Sequence, residues 1–236
     1  AAAGDEIRIA AGHYTAFGSD AVISIDKALT LRGGFTTTDW LRPDPVMNPT
    51  ILDGENARRG VYIQTSEDGA PVRLTGFEIV NGYVSDGFPY DPYGAGIRNV
   101  NADLTLDTCD LHDNIGGTSS RGGGVASGGK TGVVLQLRDV DVYGNKAYAA
   151  AGVYVYASGV VVERSRIYAN ESEAVGAVAL ALDLDPSTHN ATIRNSLIYD
   201  NRATSPTSRG GGLYIENGTV GIQNVTIFSN TVPGFG

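Results

Sequence analysis

The feature that most constrains this chain is a repeat held in register by asparagine. Asn114, Asn145, Asn170, Asn201 and Asn230 each close a unit with the same apolar positions upstream. Three residues before each Asn stand Leu111, Val142, Ile167, Ile198 and Ile227. Five before stand Cys109, Val140, Ser165, Ser196 and Val225; eight before, Leu106, Leu137, Val162, Ile193 and Ile222. Ten before stand Leu104, Leu135, Val160, Ala191 and Val220. A small residue followed by an aliphatic one opens each unit: Gly96-Ile97, Gly124-Val125, Gly152-Val153, Ala177-Val178 and Gly212-Leu213. From that aliphatic to its Asn the spacing is 17, 20, 17, 23 and 17 residues. Two copies therefore carry insertions, and the rest of the unit is constant.

Pairs of apolar residues two apart, separated by a one-residue phase shift, read as short strands with one buried face. Each unit reads as three strands, such as GGGLYIEN, TVGIQN and VTIFSN in the last. One unit cannot bury its apolar face alone. Stacked units can, each strand pairing in parallel with its counterpart and the inward residues forming columns. The reading is an all-β parallel β-helix of roughly seven rungs, a single domain over residues 1–236. The less regular strand-like stretches 6–10, 21–25, 28–32, 61–64 and 72–80 supply the first rungs. Asn81-Gly82 falls one residue out of register with the later Asn positions. The recurring Asn is expected to sit in the left-handed backbone region at a bend and to bond its stacked copies in a ladder. The Gly before the first strand is expected to turn the chain with positive φ.

Composition narrows the function. Gly and Pro are 32 and 9 of 236 residues, which favours turns over long amphipathic helices. Seventeen basic against 26 acidic residues give a net charge of −9, which argues against nucleic-acid binding. No apolar run approaches a membrane span. The lone Cys109 excludes an internal disulfide and reads as a small buried hydrophobe. His13, His112 and His189 form no zinc spacing with it. The chain starts at Ala1 without Met, which reads as a removed leader or as a piece cut from a longer chain, and stops just after a repeat at SNTVPGFG. Solenoid ends need covering, so the expectation is a piece of a longer chain, or rods that associate end to end.

GGGVAS…LRDVDVYGN and GGGLYIENGTVGIQNVTIFSN resemble the repeats of right-handed parallel β-helix proteins. They are similar to the polymorphic outer-membrane protein repeat, with Leu, Val or Ile where that repeat has Phe three residues before the Asn. GDEIRIAAGHYTA resembles the first rung of pectin-lyase-like domains, and LTLRGGFTTTDW with PTILDGENARRGVYI resembles bacterial surface proteins of this fold. The resemblance implies right-handedness and an extracellular or cell-surface setting. It leaves activity open, because the fold hosts lyases, hydrolases, adhesins and phage spikes.

Two outward columns and two loops are the candidate sites. Two residues before each Asn stand His112, Tyr143, Tyr168, Tyr199 and Phe228. Such a column is either ring-on-ring packing or a flat strip for sugars or a partner protein. Asp110 and Asp141 with Arg166, four before their Asn, are the candidate acids and cation for cleaving a polysaccharide. Seven residues before each Asn the signs alternate, Asp107, Arg138, Glu163 and Arg194, which also suits cross-strand ion pairs. Asp86, Tyr90, Asp91 and Tyr93 crowd one loop, and Asp183 and Asp185 another. The tyrosines could bind a glycan, and the four Asp could hold Ca²⁺ through hard oxygens. No other cofactor is implied. The function expected is a structural or adhesive module binding glycans or surface proteins. The alternative is a polysaccharide lyase or glycoside hydrolase.

Overall fold

A computed structural model of the chain describes residues 1–86, 91–129, 132–175, 178–181, 190–216 and 218–233. The coil that holds Asn145 runs through Val125–Gly128, Val134–Arg138, Asp141–Tyr143 and Lys146–Ala149. Each of these strands pairs in parallel with its counterparts in the coils before and after. The stacked strands form a 14-stranded, a seven-stranded and a five-stranded sheet among the described residues. The largest comprises two adjoining faces, which become continuous in the ten-residue strands Asn190–Tyr199 and Thr219–Phe228. The fold is a parallel β-helix. Short strands just past Asn114, Asn145, Asn170 and Asn201, such as Ile115–Gly116 and Arg202–Ala203, add a further segment to the three-strand unit. They range from two residues in these coils, too few to show an alternation, to four in Lys146–Ala149 and five in Glu171–Val175.

The repeat positions superpose as the pattern requires. Leu104, Leu135, Val160, Ala191 and Val220 are successive cross-strand partners. So are Leu111, Val142, Ile167, Ile198 and Ile227. All but the last coil's members of these two columns are buried. Burying each such aliphatic contributes about 1.5–3 kcal/mol, and the columns join into one continuous core. Cys109 lies inside it, where burial pushes its thiol up to about 11.

Two details differ from the sequence expectation. The ladder asparagines do not themselves have positive φ. The left-handed residues are those just before them, Asp113, Gly144, Ala169, Asp200 and Ser229. A second left-handed residue, at Thr108, Asp139, Arg164, Asn195 and Asn224, makes the corner between the two adjoining faces. That corner is the phase shift seen in the sequence. The Asn contributes hydrogen bonds. The Asn114 Nδ2 donates to Asn145 Oδ1 at 2.9 Å, and its backbone N–H donates to the same atom at 3.1 Å. The pattern repeats from Asn145 to Asn170, Asn170 to Asn201 and Asn201 to Asn230. Each Nδ2 also donates to a carbonyl of the preceding coil, as from Asn145 to Leu111 at 2.9 Å.

Gly82 explains the register break at Asn81. Its N–H donates to Asn114 Oδ1 at 2.8 Å, so it stands at the ladder's first position. A Cβ there would lie 2.1 Å from the Ala95 carbonyl oxygen, which excludes Asn. Gly96, Gly124 and Gly212, which open three of the units, likewise serve close approach and not positive φ. A Cβ on Gly124 would lie 2.7 Å from the Gly152 carbonyl oxygen.

Candidate functional site

On the strands Asp110–His112, Asp141–Tyr143 and Arg166–Tyr168 the middle residue points inward and its two neighbours point outward. Two outer columns therefore run side by side along the axis. In the first, Glu78, Asp110, Asp141 and Arg166 are successive cross-strand partners. Arg166 Nε donates to Asp141 Oδ1 at 2.7 Å, and Nη2 donates to Oδ2. This clamp holds the Arg166 guanidinium above its ordinary pKa. Asp110 faces Asp141 on one side and Glu78 on the other. Its carboxyl is pushed above the usual range, first by burial against neighbouring atoms, then by the charges of Asp141 and Glu78. At the adjacent corner a second pair forms, with Arg164 donating to both Asp139 oxygens at 2.9 and 2.8 Å.

These residues floor a groove of about 600 Å³. Pro45, Val46 and Pro49 wall it, so it is apolar on one side and charged below. Val46 is largely exposed, as are Leu41 and Met47 on the same loop. The three sequence-selected residues, Asp110, Asp141 and Arg166, are thus brought together in a concave site.

In the second column the rings stack. Centroid separations are 4.6 Å for His112–Tyr143, 4.9 Å for Tyr143–Tyr168 and Tyr168–Tyr199, and 5.0 Å for Tyr199–Phe228. Interplanar angles of 3–10° show that the rings lie face on face. Each interior ring therefore has both faces covered, and solvent meets ring edges. A strip of open faces would need the rings turned flat on the sheet, and the cross-strand spacing of about 4.8 Å favours stacking instead. His112 begins the stack. Its Nε2 is 2.9 Å from Glu78 Oε1 and its Nδ1 2.8 Å from Asp113 Oδ2. The acidic floor and the aromatic column are thereby joined. Burial, then the charge of Asp110, pushes the Tyr143 phenol up to about 12.

The loop candidates lie elsewhere. Tyr93 packs in a cluster with Tyr154 and Tyr156, where Arg98 Nη2 donates to Tyr156 Oη and Arg121 Nη1 to Tyr154 Oη, each at 2.6 Å. Asp91 pairs with Arg98 at 2.9 Å and with Arg59 at 3.1 Å, both arginines being buried. Burial lowers the Arg59 pKa to about 10. Asp86 accepts hydrogen bonds from the Thr118 hydroxyl and from the Ser119 N–H and hydroxyl. These bonds tie its loop to the next coil and hold the carboxyl below the usual range. Both carboxylates are thus committed to protein partners. Tyr90, Asp183 and Asp185 lie outside the described residues. Among the described residues no three of His, Cys, Asp and Glu are grouped to hold a metal ion.

The comparisons with known proteins bear on this geometry. A family model described as the right-handed β-helix region matches residues 55–235. The chain belongs to that family. Searches of curated proteins and of solved structures returned no match. In this right-handed β-helix no described helix is long and apolar enough to cross a membrane.

Sequence reasoning missed three parts of the site. Glu78 belongs to the acidic column, but its coil lacks the Asn that aligned the others. The wall Pro45, Val46 and Pro49 comes from the loop after Leu29–Phe35, and nothing local says where a loop folds. The Arg–Tyr cluster had a weak signal in Tyr154 and Tyr156, two apart on Val153–Tyr156.

Proposed function

We propose that this β-helix is an extracellular structural or adhesive module of a bacterial surface protein. It binds a glycan or a partner protein along its acidic and aromatic columns. The observation that carries this reading is the groove, where Asp110, Asp141 and Arg166 offer hydrogen-bonding groups beside the apolar wall of Pro45, Val46 and Pro49. A few polar groups converging in a partly apolar concavity are what ligand sites generally present. The ring edges of Tyr143, Tyr168 and Tyr199 extend the surface along the axis, so a linear ligand meets the same two columns at successive coils. Screening the purified chain against immobilised neutral, amino and acidic glycans tests this. Retention that is lost on Asp141→Asn or Tyr168→Ala, without release of new chain ends, is the expected result. Absence of retention on every glycan and on intact cell surfaces would sink it.

One observation favours a second reading, a glycoside hydrolase. Asp110, with its raised pKa, is suited to donate a proton, and Asp141, held by two nitrogens of Arg166, is placed beside it to act as base or nucleophile. Release of reducing ends that disappears with Asp110→Asn while retention persists would select this reading over the first.

A further inference from the structure

Charge is unevenly settled along the groove. Four carboxylates line it, Glu78, Asp110, Asp139 and Asp141, with two guanidiniums, Arg164 and Arg166. Both guanidiniums are committed. Two nitrogens of Arg166 donate to Asp141, and two of Arg164 donate to Asp139. Glu78 Oε1 is 2.9 Å from His112 Nε2. Asp110 stands apart. Among the described residues no group hydrogen-bonds to its carboxylate, and its cross-strand neighbours are the acids Glu78 and Asp141. Four negative against two positive charges leave an excess of two, and Asp110 lies at its centre. Burial and then those two neighbours push its carboxyl up, the response of an acid that lacks a cation.

The excess decides which ligands the groove accepts. A uronate or a sulfated sugar meets Asp110 as a like charge. It reaches Arg164 or Arg166 only by displacing the Asp139 or Asp141 carboxylate from its clamp. A neutral sugar leaves the excess unmatched. A bound metal ion is not the match either, because among the described residues no three of His, Cys, Asp and Glu are grouped to hold one. The match is a ligand that carries its own organic cation.

Spacing selects among such ligands. Glu78, Asp110 and Asp141 stand on three successive coils, about 4.8 Å apart. An extended basic peptide sets side chains of one face about 6.6 Å apart, two residues at ~3.3 Å each, and falls out of step with the coils. A sugar unit in an extended chain advances by close to the height of one coil, and the C–H face of its ring suits the apolar wall of Pro45, Val46 and Pro49. We propose that the groove takes a glycan of amino sugars with free ammonium groups, one ammonium seated on Asp110 between Glu78 and Asp141, and a ring against Pro45, Val46 and Pro49. This rests on the reading of the groove as a glycan site and adds the charge of the glycan. Asp110 is then the residue that sets specificity.

Calorimetric titration of the purified chain with four hexamers tests the proposal: β-1,4-linked glucosamine, its N-acetylated counterpart, galacturonate and lysine. The glucosamine hexamer is expected to bind at least about tenfold more tightly than the N-acetylated one, which differs only in lacking the ammonium groups. Asp110→Asn is expected to bring that ratio close to one, and Glu78→Gln to lower it. Asp20→Asn, which removes the same charge beside the strand Ala21–Ile25 of another sheet, is expected to leave it unchanged. Circular dichroism shows that each variant is folded. Equal or tighter binding of the N-acetylated or galacturonate hexamer overturns the proposal while leaving the groove a glycan site, as does a preference that survives both Asp110→Asn and Glu78→Gln. A lysine hexamer bound as tightly as the glucosamine one overturns the assignment to a sugar. Binding of none of the four overturns the glycan reading of the groove together with the proposal.

Discussion

Asn145 sits in the middle of a hydrogen-bond relay. Its Oδ1 accepts from the Asn114 N–H and Nδ2, and its own Nδ2 donates to the Leu111 carbonyl and to Asn170 Oδ1. Asn145→Ala leaves buried donors and an acceptor without partners and is expected to cost about 2–3 kcal/mol in urea denaturation. Asn230→Ala is expected to cost less, because that end of the ladder is partly exposed. Equal losses at the two sites would mean the relay contributes little beyond local turn geometry. Asp110 works in the opposite sense. Its folded pKa lies above the ordinary value, so the native state binds this proton more tightly than the unfolded chain does. The associated stability is present in acid and is lost as pH rises through the raised value. Asp110→Asn is therefore expected to raise the melting temperature at neutral pH, with the gain vanishing below the ordinary carboxylate range. A pH series of melts on both proteins checks the sign.

The elements of this molecule are its columns, each built from one position of the repeat. Tyr168 shares faces with Tyr143 and Tyr199, whereas among the described residues Phe228 has a ring on one side only. Tyr168→Ala removes two ring contacts and is expected to destabilise by about 1–3 kcal/mol. Phe228→Ala removes one and is expected to cost about half as much, and Tyr168→Phe very little. Equilibrium denaturation of the three variants gives the comparison; a Phe228→Ala loss as large as that of Tyr168→Ala would contradict an additive stack. The columns were largely legible in the sequence, because Asn fixed their register. Their orientation was not. A ring two residues before an Asn is predicted to face outward, but whether it lies flat or stands against the next ring depends on the distance to the next coil.

Across the whole molecule, each coil meets only the coils beside it, so stability accumulates along the axis. A chain ending at Glu216 loses Thr219–Phe228 and exposes Asn190–Tyr199 as its new edge. It is expected to keep a β-sheet circular dichroism spectrum and a cooperative melt at a lower midpoint. Unfolding of the entire chain on this truncation would show that the coils are not independent in this sense. The groove belongs to this scale as well. Its floor repeats with the coils, but its wall is a single excursion, the loop that carries Pro45, Val46 and Pro49.

The stacking of like on like was already written in the order of the residues. A period-2 apolar pattern locked to a recurrent Asn has one economical way to bury its faces and bond its amides, and that way is a parallel β-helix. The repeat also singled out Asp110, Asp141 and Arg166, since equal places in successive units become neighbours. It took the folded chain to clamp Asp141 with Arg166, to leave Asp110 between two acids, and to bring a distant loop against them as the wall of a groove. Folding also decided that the aromatic faces would be spent on one another. These outcomes depend on side-chain directions and loop paths across coils, distances that a one-dimensional repeat does not encode.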